Sequence, residues 1–171
     1  MPTLLACDPG LRYPAAAWFT DGVLVKASRV KIKVDTSEQI AKRCRDIGLA
    51  IADWCPGLPD ALIVEWPQIY TADKSKGDPN NLIGLAGVGA CLAGLFPNSS
   101  ILSPRPREWT GNIPKSETGD PWKSPRGQRV WDRLNATERL AVVPSHDAID
   151  AVGLGLFALG RFTRRRVFSR S

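Results

Sequence analysis

The apolar positions of this chain fall into two alternating periods, and the switches between them divide it into elements. Residues 3–8, "TLLACD", form a short apolar run that closes on an acid, as a buried strand does. "AAAWF" at 15–19 and "VLVKASRVKIKV" at 23–34 continue as strands. The last of these sets Val30, Ile32 and Val34 against Lys31 and Lys33, a half-solvated period of two. These three runs predict an antiparallel meander. The period then lengthens: Ile40, Cys44, Ile47, Ile51 and Trp54 recur at intervals of three and four and mark one stripe of a helix over 36–55. Thr36 or Ser37 is placed to cap its start. "CPGLPD" ends it, and "ALIVEW" at 61–66 reads as a buried strand carrying Glu65 at its end.

A polar loop, "IYTADKSKGDPNN", leads to residues 81–96, "NLIGLAGVGACLAGLF", which read as a helix despite four glycines. Each glycine costs a helix about 0.5–1 kcal/mol relative to alanine. Such a tract makes sense where another backbone comes very close, with a sheet surface expected before a partner helix. "SILSP" at 100–104 is a short strand. Residues 105–127 form a long basic loop with prolines at 106, 114, 121 and 125, and loops of this length in compact domains are commonly functional. A helix over 127–140 and a last one entered through Pro144-Ser145 complete the order. No internal repeat is present. Strand–strand–strand–helix–strand–helix–strand–helix–helix predicts an α/β domain, a mixed five-stranded sheet flanked by helices. One domain is expected over 1–163, with a basic tail at 164–171.

Composition narrows the function classes. The chain of 171 residues carries a net charge of +6 and 43% hydrophobic residues. That is enough for one proper core, and no apolar run is long enough to predict a membrane span. The start "MPTLLACDPG" lacks a basic segment and meets Asp8 early, so no signal peptide is expected. Four cysteines (Cys7, Cys44, Cys55, Cys91) lie far apart with no C-x-x-C pair. This argues against a zinc site or a disulfide framework and for buried thiols in a reducing cytosol. The positive balance suits a polyanionic partner.

Three acid positions stand out because each sits at the end of an apolar element: Asp8, Glu65, and the pair Asp147 and Asp150 at the start of the last helix. Buried carboxylates are costly unless paired or bound to metal, and strand ends of α/β sheets are common ligand sites. Carboxylate oxygens suit Mg²⁺, and two such ions can clamp the attacking and leaving oxygens of a phosphodiester displacement. Taken singly, Asp8 also fits a turn-forming Asp-Pro-Gly, and Asp147 and Asp150 fit a first helical turn complementing its dipole.

In their order and spacing, "LLACDPGLR", "ALIVEWPQIY" and "HDAIDAVGLGL" resemble the acidic motifs of RuvC-type Holliday junction resolvases, within the RNase H-like superfamily. The resemblance extends over roughly residues 3–160 and includes the small-residue helix after the Glu65 loop. It implies an RNase H-like fold and a structure-selective endonuclease that cuts four-way DNA junctions by paired phosphodiester hydrolysis, leaving 5′-phosphate and 3′-hydroxyl ends. It implies two Mg²⁺ ions per site, with Mn²⁺ able to substitute. Asp8 would bridge both ions, Glu65 would hold the one nearer the attacking water, and Asp147 and Asp150 would complete the shells from one helix face. It also implies a twofold homodimer, since two symmetric incisions are needed; the glycine-rich helix is one candidate surface. Ala15 stands where the family usually carries a glycine, and the loop around residues 115–127 is longer and richer in proline than the family leads one to expect.

His146, beside Asp147, is a candidate accessory that could bind metal, orient water or contact phosphate, or face solvent. Candidate DNA contacts are Arg12, Lys74, Lys76, Arg105, Arg107, Lys115, Lys123, Arg126 and Arg129, with Trp66 or Tyr70 as a wedge or stacking platform. A cytoplasmic, nucleoid-associated protein without membrane attachment is expected. The rival readings are an RNase H-like nuclease for flaps or forks, an actin-like nucleotide-binding kinase, and a catalytically silent DNA-binding module.

Overall fold

In a computed structural model, residues 1–33, 39–68, 79–113 and 119–162 are described. The three opening runs form the meander that their alternation predicts: β1 (Thr3–Asp8), β2 (Ala15–Thr20) and β3 (Val23–Arg29), paired antiparallel in turn. Helix α1 (Ile40–Trp54) leads back to β4 (Ala61–Val64), which pairs parallel with β1. Helix α2 (Pro79–Leu95) leads to β5 (Ser100–Leu102), parallel to β4. The five-stranded sheet has the order β3-β2-β1-β4-β5, so β1, at the centre, is antiparallel to one neighbour and parallel to the other. The chain continues through α3 (Pro106–Thr110), a 3-10 turn at Pro121–Lys123, α4 (Pro125–Trp131), α5 (Ala136–Leu140) and α6 (His146–Ala158).

Strand alternation sorts the apolar side chains into two cores. Leu5, Cys7, Leu62 and Val64 face one side, where they meet Cys44, Ile47 and Ile51 of α1 and Val88 and Leu92 of α2. Leu4, Ala6, Ala15, Ala17 and Ile63 face the other, beneath Ile149, Val152, Leu154 and Leu156 of α6. Residues Asp8 and Glu65 follow Ala6 and Ile63 by two, so both fall on the α6 face.

Several expectations are corrected. Strand β3 ends at Arg29: the Val30 N–H still donates to the Pro14 carbonyl at 2.7 Å, but Pro14 has no N–H to return the bond; Lys31 and Lys33 lie beyond the strand. Helix α1 starts at Ile40 with Gln39 as its N-cap and no side-chain cap; Thr36 and Ser37, the expected caps, lie outside the described residues. The stretch 105–127 contains α3 and the 3-10 turn as well as loop, and the helix expected over 127–140 is two helices, α4 and α5. Asn135 begins the second: its side chain accepts the Glu138 N–H while Glu138 accepts the Asn135 N–H, a capping box that starts a new helix.

The glycine tract serves a helix more than the sheet. A Cβ at Gly87 would lie 2.7 Å from Cys44 Sγ on α1, so glycine there lets the two helices close. On the opposite face, a Cβ at Gly155 would lie 2.1 Å from the Phe19 ring. Glycine therefore lets α6 sit down on β2. The cysteines are free: Cys7 and Cys44 are buried and Cys55 and Cys91 half-buried. Burial raises the Cys7 thiol well above its usual range and moves Cys55 up to about 12, so both stay protonated.

Candidate active site

The sheet builds one row of side chains across its carboxyl end. Asp8, the last residue of β1, pairs in register with Ala15 of β2, and Ala15 pairs with Arg29 of β3. On the other side, the Glu65 N–H donates to the Cys7 carbonyl at 3.2 Å, continuing the parallel ladder one step past Val64 and setting Glu65 beside Asp8. Arg29, Ala15, Asp8 and Glu65 thus follow one another across four strands, on the face that α6 covers.

Helix α6 brings its first turn to the same row. Its Gly155 lies against Phe19, which pairs with Leu4 near the start of β1, while its Asp147 reaches Arg29 at the strand's other end. The helix therefore runs opposite to β1 and delivers its N-terminus over Asp8. Ser145 caps it, accepting the Ala148 N–H at 3.1 Å. An acid in this turn is favoured by the dipole, and Asp147 and Asp150, three apart, share a face.

Each helix acid carries an arginine. Arg29 holds Asp147 Oδ2 through Nε and through its terminal nitrogen, both at 2.6 Å; the Arg29 side chain is 45% exposed and the Asp147 side chain 17%. A pair this accessible contributes about 0–1 kcal/mol. Arg126 holds Asp150 at 3.2 Å with the two side chains only 17% and 7% exposed. Removing one partner of a pair that deep costs about 3–5 kcal/mol.

Trp109 ties the two halves together. Its indole N–H donates to Glu65 Oε1 at 2.8 Å, the Arg126 guanidinium lies over its ring at 5.6 Å, and its ring lies where a Cβ on Gly153 of α6 would come within 2.5 Å. Trp109 is not among the candidates that the sequence offers. It is buried, 3% exposed, but it also holds a candidate site acid. The signal available was its place in a proline-bearing polar stretch, which an aromatic reaching back to the sheet end satisfies.

The other candidates divide. The His146 ring is half-buried with its Nε2 out of solvent and without a hydrogen-bond partner, so the solvent-facing alternative is not what the fold builds. Arg12 is exposed on the loop after β1 and lines grooves on both sides of it. Trp66 is 39% exposed and shares a shallow pocket with Arg105 and Glu108. Arg107 and Lys123 are exposed, Lys123 lying 3.8 Å from Asp120. Arg126 faces Asp150. Arg129 donates to the Trp109 and Thr110 carbonyls at 2.9 and 3.1 Å and covers the Phe162 ring; burial, with Arg133 nearby, lowers its pKa. It serves as a brace for the end of α3. Tyr70, Lys74, Lys76, Lys115 and the 164–171 tail lie outside the described residues. Among the described residues, no three His, Cys, Asp or Glu side chains are gathered closely enough to hold a metal ion, and none of the helices is long and apolar enough to cross a membrane. Asp147 and Asp150 face guanidinium groups, and Glu65 faces an indole N–H.

A three-stranded meander continued by two parallel strands, with helices on both faces, is the RNase H-like architecture. Solved structures share it. The chain superposes on "T. thermophilus RuvC in complex with Holliday junction substrate" with a TM-score of 0.57 and 15% identity, covering 92% of each chain. With "Thermus thermophilus RuvC structure" the TM-score is 0.55 at 12% identity, over 91% of this chain and 92% of the other. The fold is therefore that of RuvC. No family model and no curated protein sequence matches.

Proposed function

We propose that this protein is a divalent-metal-dependent endodeoxyribonuclease that resolves four-way DNA junctions as a homodimer. The observation that carries the reading is the row at the sheet's carboxyl end: Asp8 at the end of β1 and Glu65 just past β4 side by side, with the start of α6 bringing Asp147 and Asp150 to the same face. The similar fold of a RuvC seen with a Holliday junction supports the substrate class.

The donor chemistry fits a hard cation. All four candidate ligands are carboxylates, and two of them already attract a full positive charge from Arg29 and Arg126. Asp8, Glu65, Asp147 and Asp150 would hold the metal, Mg²⁺ with Mn²⁺ as a substitute. Bound there, it would supply Lewis-acid stabilisation of the scissile phosphate and a more acidic water. The chain's own residues do the rest. Trp109 holds one Glu65 oxygen, so this carboxylate is oriented before substrate arrives. Arg126 compensates Asp150 in its buried setting. The unpartnered His146 Nε2, next to Asp147, lies out of solvent and would reach a phosphate oxygen or a water only if the ring turned outward. For pairing of two copies, α2 offers an outward stripe including Ile83, Ala90 and Gly94, with Ile83 66% exposed. A nucleoid-associated, cytoplasmic setting accompanies this reading.

The test uses purified full-length protein and a synthetic four-way junction. Asp8→Asn and Asp147→Asn should bind the junction and fail to cut it with Mg²⁺; cutting equal to wild type would overturn the site. Symmetric nicks on opposing strands support a resolvase, whereas incision of one arm assigns the chain to flap or fork cleavage.

A further inference from the structure

The outer edge of the sheet carries a groove whose chemistry the acidic row does not explain. It has a volume of about 820 Å³ and runs between the segment after β3 and residues 143–145 before α6. Arg12, Arg29, Lys31 and Lys33 line it, with Tyr13, and none of its described lining residues is an acid. Lys31 and Lys33 reach it because β3 stops at Arg29. Like-charged side chains gathered along one groove repel one another unless an anion lies between them. Tyr13 is 58% exposed and its ring faces the Arg29 guanidinium at 4.5 Å. Cations in file with an accessible aromatic ring match a nucleic-acid strand, phosphates on the cations and a base on the ring.

Arg29 belongs to this groove and to the candidate site at once, since its guanidinium holds Asp147 at 2.6 Å. Asp147, with Arg12 and Tyr13, lines the adjoining groove that contains Gly10 and Arg43. With Arg29 45% exposed, this pair is more open to solvent than Arg126–Asp150, and exchange of its guanidinium is the easier of the two. We propose that the groove is a path for one DNA strand and that Arg29 is a positioning residue which exchanges Asp147 for a strand phosphate. In the DNA-free protein Arg29 neutralises Asp147. With a phosphate in the groove the guanidinium turns to it, and Asp147 is left with its charge beside Asp8, free to bind a cation. Substrate thereby completes the site. No bond is made or broken; one salt bridge replaces another.

The exchange rests on the metal-site reading above, and two measurements that do not use cleavage separate it from that reading. The first is Mg²⁺ and Mn²⁺ binding to DNA-free protein by calorimetry. Arg29→Gln should bind the cation roughly two- to fivefold more tightly than wild type, the advantage expected from removing a weak competing pair. Asp147→Asn should lose it. The second is metal-free binding of a DNA junction against salt concentration. Arg29→Gln should reduce the slope of log affinity against log salt by about 1, Lys31→Gln/Lys33→Gln by about 2, and Arg29→Lys should restore it. Unchanged slopes in both sets overturn the strand path. An unchanged cation affinity in Arg29→Gln, when Asp147→Asn has lost binding, overturns the exchange alone. Equal cation affinity in wild type and Asp147→Asn overturns the metal-site reading instead, and the salt slopes still decide the groove. Tighter binding of an RNA junction than of its DNA counterpart overturns the assignment to DNA.

Discussion

The indole N–H of Trp109 donates to Glu65 Oε1 at 2.8 Å from a ring that is 3% exposed. A residue that packs like core is thus bonded to a charged acceptor at the site. Such bonds are worth about 1.5–3 kcal/mol. Trp109→Phe keeps the ring against Gly153 and removes only the donor. We expect cleavage to fall roughly tenfold or more, the kinetic equivalent of that bond, with junction affinity near wild type. Trp109→Ala should instead destabilise the whole domain by about 3–5 kcal/mol. Single-turnover cleavage together with urea unfolding of both variants separates the two effects.

Arg126 and Asp150 pair at 3.2 Å with little exposure of either. Arg126→Met removes a buried charge partner of Asp150, costing about 3–5 kcal/mol in metal-free buffer. A cation that binds only the folded state adds stability. Excess Mg²⁺ should therefore raise the Tm of Arg126→Met more than that of wild type. Equal Tm increases in a thermal melt would count against a cation near Asp150.

Glu138 is 1% exposed, and burial alone would raise its pKa. The Arg161 guanidinium at 2.5 Å and the N–H groups of Leu24 and Asn135 outweigh that and bring it from 4.5 down to about 2. A carboxyl depressed in the folded state adds stability that is complete above its unfolded pKa. That stability is lost as pH falls through the folded value. Up to about 3 kcal/mol should disappear between pH 4.5 and about 2. Glu138→Gln should be less stable at neutral pH and show a flatter acid limb in urea midpoints measured against pH.

A Cβ at Gly155 would sit 2.1 Å from the Phe19 ring. Gly155→Ala should cost about 1–3 kcal/mol through overpacking, despite alanine's better helix propensity. Phe19→Leu in the same chain should recover part of it. Additive losses in chemical denaturation would mean that the two residues do not share this contact.

Strands Thr3–Asp8 and Ala61–Val64 were legible because their side chains obey a period of two or form one apolar run, and α1 because its stripe obeys 3.6. The boundaries that went wrong did so where tertiary contacts decide. Val30 through Lys33 alternate like a strand, yet Pro14, opposite Val30, has no N–H to carry the ladder on, and the outer edge of β3 is taken by a bridge from Ala27 to Val142. Residues 127–140 look like one helix until the Asn135–Glu138 box restarts the backbone.

By itself the sequence determined the five strands and the main helices and singled out Asp8, Glu65, Asp147 and Asp150, since acids ending apolar elements are visible wherever charge interrupts a period. Only the tertiary structure decided what those acids face. Pairing β1 with β4 sets Asp8 beside Glu65 across 57 positions of chain, and the packing of α6 carries Asp147 to Arg29 and Asp150 to Arg126. Trp109, Arg29, Lys31 and Lys33 acquire their places the same way. Their contacts cross elements, and no local period records a contact that exists only after the sheet has closed.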